Sequence, residues 1–80
     1  MANNHETDVP LIDARGLACP LPVLKLRKVL NGRAPGTLVH LLVTDRVALR
    51  DVPAFCAAQG HQVVDTIEDS RQTRFVIRRA

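Results

Sequence analysis

Eighty residues, 46% of them hydrophobic and 24% charged, with two Phe and no Trp or Tyr, limit the chain to one small domain with an aliphatic core. A chain of this size buries only a little over ~60% of its unfolded surface, which excludes a large cofactor cavity. Uncharged stretches such as Leu17 to Leu24, itself interrupted by two prolines, fall well short of the ~18 apolar residues of a membrane span. The net charge is +3, and because Glu6 and Asp8 stand in a start without Lys or Arg, the remainder is more basic still. A basic domain favours an acidic partner, protein or nucleic acid.

Residues 1–8 are polar and aperiodic and are expected to form a mobile tail ahead of a single domain over 9–80. They lack the basic and apolar regions of an export signal, so a cytoplasmic protein is expected. The only cysteines, Cys19 and Cys56, form neither a C-x-x-C nor a His-linked spacing, so no structural disulfide or metal site is expected.

Val9 to Ala14, with a proline near its start, suits a first strand near a sheet edge, followed by a sharp turn at Arg15-Gly16. From Pro20 to Leu30 the period is helical, and Pro22, Val23, Leu26, Val29 and Leu30 share one ~120° arc, the predicted core face. Asn31-Gly32 and Pro35-Gly36 end that helix. Thr37 to Val43 is apolar at nearly every position, the composition of a central strand. A second helix is predicted from Asp51, as N-cap, with Pro53 in its first turn and Val52, Phe55 and Cys56 on one face; Gly60 stops it. His61 to Ile67 and Thr73 to Arg79 read as two strands, with Phe75 and Ile77 turned to the helices and Arg74, Val76 and Arg78 turned outward. The order β-α-β-α-β-β, with two helices for four strands, predicts an α/β (α+β) two-layer sandwich: a four-stranded mixed sheet with both helices on one face.

Cys19 stands between the first strand and the first helix, where the partial positive charge of a helix N-terminus favours thiolate and lowers the thiol pKa. Pro20 and Pro22 contribute no N–H, which leaves mainly Leu21 and Val23 to face the sulfur and moderates the expected shift. The competing reading of an apolar-flanked cysteine is a buried small hydrophobe, and for Cys56, among Val52, Phe55 and two alanines, that reading prevails. Leu21 and Leu24 fall opposite the core arc in line with Lys28, flanked by Lys25 and Arg27. Two exposed leucines in a basic ring, a turn from a reactive thiol, suggest a docking surface for a protein that reaches Cys19. Ordinary scattered surface leucines are the alternative. His5, His40 and His61 all lie far from Cys19 in sequence, so nothing supports a Cys–His hydrolase. Arg71, Arg74, Arg78 and Arg79 lack the interleaved aromatics of a base-stacking surface and read as a solvated strand edge.

Asp13-Ala14-Arg15-Gly16-Leu17-Ala18-Cys19-Pro20-Leu21-Pro22 resembles the strand-to-helix signature of the TusA/SirA-like sulfur-carrier family, whose hallmark is Cys-Pro-x-Pro. Asp51 to Cys56 with Gly60-His61 looks like that family's second helix, and Phe75 to Arg79 like its last strand. The resemblance spans residues 11–79, with Arg46 standing where the family often has Pro. It implies that Cys19 takes sulfane sulfur from a cysteine desulfurase or rhodanese-like donor, carries it as a persulfide and delivers it to an acceptor protein. Arg15, Gly16, Pro20 and Pro22 would present the sulfur. Family destinations include tRNA thiolation, molybdenum-cofactor supply and sulfur oxidation. A carrier of this kind is expected to be a monomer, with no cofactor beyond the persulfide it carries and no direct nucleic-acid contact. The alternative is a small basic module that binds RNA or protein without sulfur transfer.

Overall fold

The computed structural model describes residues 9–80, so the predicted tail over 1–8 and His5 lie outside the described residues. Strand β1 (Leu11–Ala14) is followed by helix α1 (Leu21–Asn31), strand β2 (Leu38–Val43), helix α2 (Ala48–Gln59) and strands β3 (Gln62–Glu68) and β4 (Thr73–Arg78). The sheet order is β1-β2-β4-β3, with β1 and β2 parallel and the other pairs antiparallel. The fold is the predicted two-layer α+β sandwich with a mixed sheet.

One face of the sheet and the inner faces of the helices form the core. Ile12, Ala14, Val39, Leu41, Val43, Phe75 and Ile77 from the sheet meet Leu26, Leu30, Val52 and Cys56 from the helices. The apolar arc of α1 packs as its spacing requires, with Pro22, Leu26 and Leu30 buried and Val23 and Val29 partly so. Strand β2 lies between β1 and β4, which explains why it is apolar on both sides. β1 is short and at an edge, as the proline just ahead of it suggests.

Two expectations need correction. Helix α2 starts at Ala48, three residues before Asp51, because Asp45 starts it: its Oδ1 accepts from Val47 N–H at 3.2 Å and its carbonyl accepts from Ala48 N–H at 3.1 Å. Asp51 and Pro53 therefore lie inside the helix. The basic C-terminal strand is not a sheet edge. β4 is interior, β3 takes the edge, and the Arg79 guanidinium turns inward to donate to the Leu30 carbonyl at 2.6 Å, satisfying the C-terminal end of α1.

Both helices begin beyond the C-terminal ends of β1 and β2. That corner of the molecule carries Cys19 and the β2–α2 loop.

Candidate functional site

The corner is built from the backbone outward. Gly16 turns the chain out of β1 at φ 79°, in the left-handed region that L side chains avoid. Its N–H donates to Thr44 Oγ1 at 2.9 Å, tying the β1–α1 loop to the end of β2. Arg15 holds the end of β1: its Nε and Nη2 donate to the two carboxylate oxygens of Asp13 at 2.9 Å each, and its Nη1 reaches Gln72 Oε1 at 3.3 Å. This guanidinium draws the Asp13 carboxyl pKa down to about 2.

Cys19 is partly buried and packs on the margin of the core. Its N–H donates to Asp45 Oδ2 at 2.8 Å. One carboxylate thus starts α2 through Oδ1 and holds the cysteine backbone through Oδ2, and this bridge spans 26 positions of sequence. Pro20 is the N-cap of α1 and Pro22 lies in its first turn, as expected.

The expected lowering of the Cys19 pKa is overturned. Partial burial pushes the thiol up, and the Asp51 carboxylate and the charge of Asp45 push it further, with only Arg50 pulling the other way. The helix end offers little to offset them. Pro20 and Pro22 have no N–H, and the Leu21 N–H already donates to the Ala18 carbonyl at 2.9 Å. Sequence reading missed both acidic groups. Asp45 lies two residues past the end of β2 and three before the first residue of α2, a turn signal legible in principle, whereas Asp51 was read as a cap.

Leu21 and Leu24 remain 48% and 50% exposed on the outer side of α1, with Arg27 and Lys28 exposed beside them. Lys25 departs from this group, because its ammonium donates to the Asp13 carbonyl at 3.2 Å and so braces β1. Val47 joins the exposed apolar set at the start of α2, linked to Cys19 through Asp45. An open cleft of about 160 Å³ lies between the β2–α2 loop and the β3–β4 turn, with Asp45 and Arg46 on one wall and Arg71 and Gln72 on the other.

The remaining candidates sit elsewhere. Cys56 is 1% exposed in the core, and burial pushes its pKa up to about 11. His61 follows the far end of α2, about 18 Å along a 12-residue helix from the corner, and its Nδ1 accepts from the Ala80 N–H. His40 faces away from the helices between Leu11 and Val76. Neither forms a pair with Cys19. Among the described residues no cluster of three or more His, Cys, Asp or Glu could hold a metal ion, and no helix is long and apolar enough to cross a membrane.

A family model described as Sulfurtransferase TusA matches residues 11–79, from the first residue of β1 to just past β4. The chain belongs to the TusA family. It is 37% identical over 75 residues to the sulfur carrier protein TusA of Pseudomonas aeruginosa, covering 94% of each chain. It is 33% identical over 69 residues to the TusA of Allochromatium vinosum, covering 86% of this chain and 91% of that one. The crystal structure of a SirA-like protein from Desulfitobacterium hafniense superposes with a TM-score of 0.78 at 25% identity, covering 88% of this chain and 96% of that one. The TusA match takes in the Gly16 turn, Cys19 and both acidic groups that face it.

Proposed function

We propose that this chain is a sulfur carrier whose working group is Cys19, loaded as a persulfide by a cysteine desulfurase or rhodanese-like donor and emptied by an acceptor protein. The observation that carries the reading is the setting of Cys19 on the surface corner, held by its backbone N–H, ahead of a helix whose outer face exposes leucines. A group held in this way can be approached by a second protein without a substrate cavity. Membership of the TusA family supports the reading, since the relatives carry the name sulfur carrier.

The transfer needs no external oxidant. The Cys19 sulfur attacks the terminal sulfur of the donor's persulfide anion, and the donor's S–S bond breaks as the new one forms. The proton leaving Cys19 ends on the donor sulfur, which departs as a thiol. The oxidation level travels with the sulfur. Delivery is the same step in reverse sense, with an acceptor thiolate attacking the terminal sulfur on Cys19.

Leu21, Leu24 and Val47 offer apolar contact, and Arg27, Lys28, Arg46 and Arg50 form a basic rim, so the partners present an apolar centre within an acidic rim. Arg15 and Gly16 shape the loop, and Pro20 and Pro22 start the helix that presents the sulfur.

Incubation with a protein sulfur donor followed by peptide mass mapping tests the reading. One added sulfur on Cys19, absent from Cys19→Ser, is the expected result. Sulfur found mainly on Cys56 would overturn it, and an RNA-binding or regulatory module would function unchanged in Cys19→Ser.

A further inference from the structure

The transfer step assigns no role to the loop that follows β2. We infer that Asp45 and Thr44 are positioning residues for Cys19: they clamp the backbone of the β1–α1 loop to the start of α2, so that the sulfur meets a docked partner from one fixed point. The inference rests on the reading of Cys19 as the sulfur-bearing group and adds what aims it.

Three observations converge on it. The chain entering α1 does not fix itself in place. Helix α1 has no side-chain cap, and Pro22 in its first turn removes an N–H that a cap would bind. The local hydrogen bonds of the loop, from Arg15 N–H to Asp13 Oδ1 at 3.1 Å and from Leu17 N–H to the Ala14 carbonyl at 3.2 Å, shape the turn but tie it only to its own strand. The tie to the rest of the corner comes instead from two adjacent side chains across the sheet end. Thr44 Oγ1 accepts from Gly16 N–H at 2.9 Å, and Asp45 Oδ2 accepts from Cys19 N–H at 2.8 Å. The clamp is itself anchored, because Asp45 Oδ1 accepts from Val47 N–H at 3.2 Å and its carbonyl from the N–H of Ala48, a core residue, at 3.1 Å. Asp45 is the stronger of the two, since its contact to Cys19 is partly buried and its acceptor is charged, whereas Thr44 is exposed.

The clamp joins docking to delivery. Arg46 and Val47, exposed directly after Asp45, belong to the surface offered to partners. A protein seated on them bears on the same loop that holds Cys19. Transfer between two protein-bound sulfurs demands alignment, and a misplacement of ~1 Å can slow such a reaction ~100-fold. A small reagent approaches from any open side and makes no such demand. Charge alone predicts the opposite sign: the Asp45 anion disfavours thiolate, so removing a purely electrostatic residue would speed both reactions.

The test compares single-turnover sulfur loading of Cys19 with its alkylation by iodoacetamide in the free, reduced protein, the site in each case read by peptide mapping. The donor is a cysteine desulfurase charged with ³⁵S-labelled cysteine or a rhodanese-like protein charged with ³⁵S-labelled thiosulfate, whichever loads the parent. In Asp45→Ala the loading rate at saturating donor is expected to fall about tenfold, with the half-saturating donor concentration within about threefold of the parent's because the leucines of α1 are untouched. Alkylation of Cys19 in the same variant is expected to be no slower than in the parent. Asp45→Asn, which keeps one acceptor oxygen, should recover most of the loading rate. Thr44→Val, which leaves every charge in place, should lose about threefold in loading, and Thr44→Ser, which keeps the hydroxyl, should not. Loading of Asp45→Ala at the parent's rate overturns the inference, as does a variant in which loading and alkylation quicken together. Should Asp45→Ala fail to fold, seen as iodoacetamide reaching Cys56, the Thr44 pair decides, and equal loading of Thr44→Val and Thr44→Ser overturns the inference. Label reaching Cys19 of the parent from neither donor would sink the carrier reading and the inference with it, whereas a parent and variants that load equally well leave the carrier reading standing.

Discussion

The helix layer holds two cysteines in two settings: Cys56 in the middle of α2, sealed against the sheet, and Cys19 at the corner where both helices begin. Both thiols are held above the ordinary range, but for different reasons. At Cys56 burial alone disfavours the anion, so nothing short of opening the core makes it reactive. At Cys19 the shift combines partial burial with two neighbouring carboxylates, a setting that a docking protein or a changed covalent state can alter. A shifted thiol is thus no guide to function until its cause is known.

The sharpest way to break the comparison is to disturb one region and ask whether the other responds. Leu26→Ala opens a cavity in the interior beside the sheet and is expected to cost 2–5 kcal/mol, of order 10–30 °C in melting temperature for a domain of this size. Leu24→Asp, two residues earlier on the outer side, is expected to change stability by less than about 0.5 kcal/mol while slowing transfer from a protein donor. Calorimetry and a transfer assay on the two variants separate the faces. A large loss of stability in Leu24→Asp would show that the outer face of α1 is buried in solution.

Next in size is the alkaline limb of stability. The folded Cys56 pKa, about 11, stands above its unfolded value, so the folded state keeps a proton the unfolded chain releases. Its contribution is complete below about pH 9 and is lost as pH rises through about 11, a fall of about 3 kcal/mol. Urea unfolding between pH 8 and 11 of the parent and of Cys56→Ala isolates that contribution as the difference between two slopes. Parallel slopes would mean that Cys56 is solvated.

Asp45→Ala should combine a small loss of stability with the broadest effect. Removing the carboxylate leaves the Val47 N–H without its side-chain partner and is expected to cost about 1 kcal/mol, as for a helix cap. It also releases the Cys19 N–H. Amide hydrogen exchange should therefore rise at Cys19 and Val47 together while the core strands keep their protection. Exchange rising at Val47 alone would break the link between the two loops.

Much of the fold was legible because its signals are local. Alternation and 3.6-residue spacing place Phe75, Ile77, Leu26 and Leu30 inward without knowledge of their partners, and they place Leu21 and Leu24 outward. The start of α2 was misread because Asp51-Val52-Pro53 imitates a helix start, while the carboxylate that braces the chain entering the helix, Asp45, lies in the loop after β2.

By itself the sequence determined the order of six elements, the aliphatic core, the left-handed turn at Gly16 and a cysteine directly before a proline-started helix, since each depends on residues within a few positions of one another. The tertiary structure alone decided that β4 lies inside the sheet, that Arg79 closes α1 across 49 positions, and that Asp45 and Asp51 face Cys19 from 26 and 32 positions away. Partial burial and those two carboxylates also set the direction of the Cys19 pKa. A helix N-terminus is a local feature that argues for thiolate, but Coulomb energy and desolvation depend on distance in space, and there partial burial and the charges of Asp51 and Asp45 act against the anion.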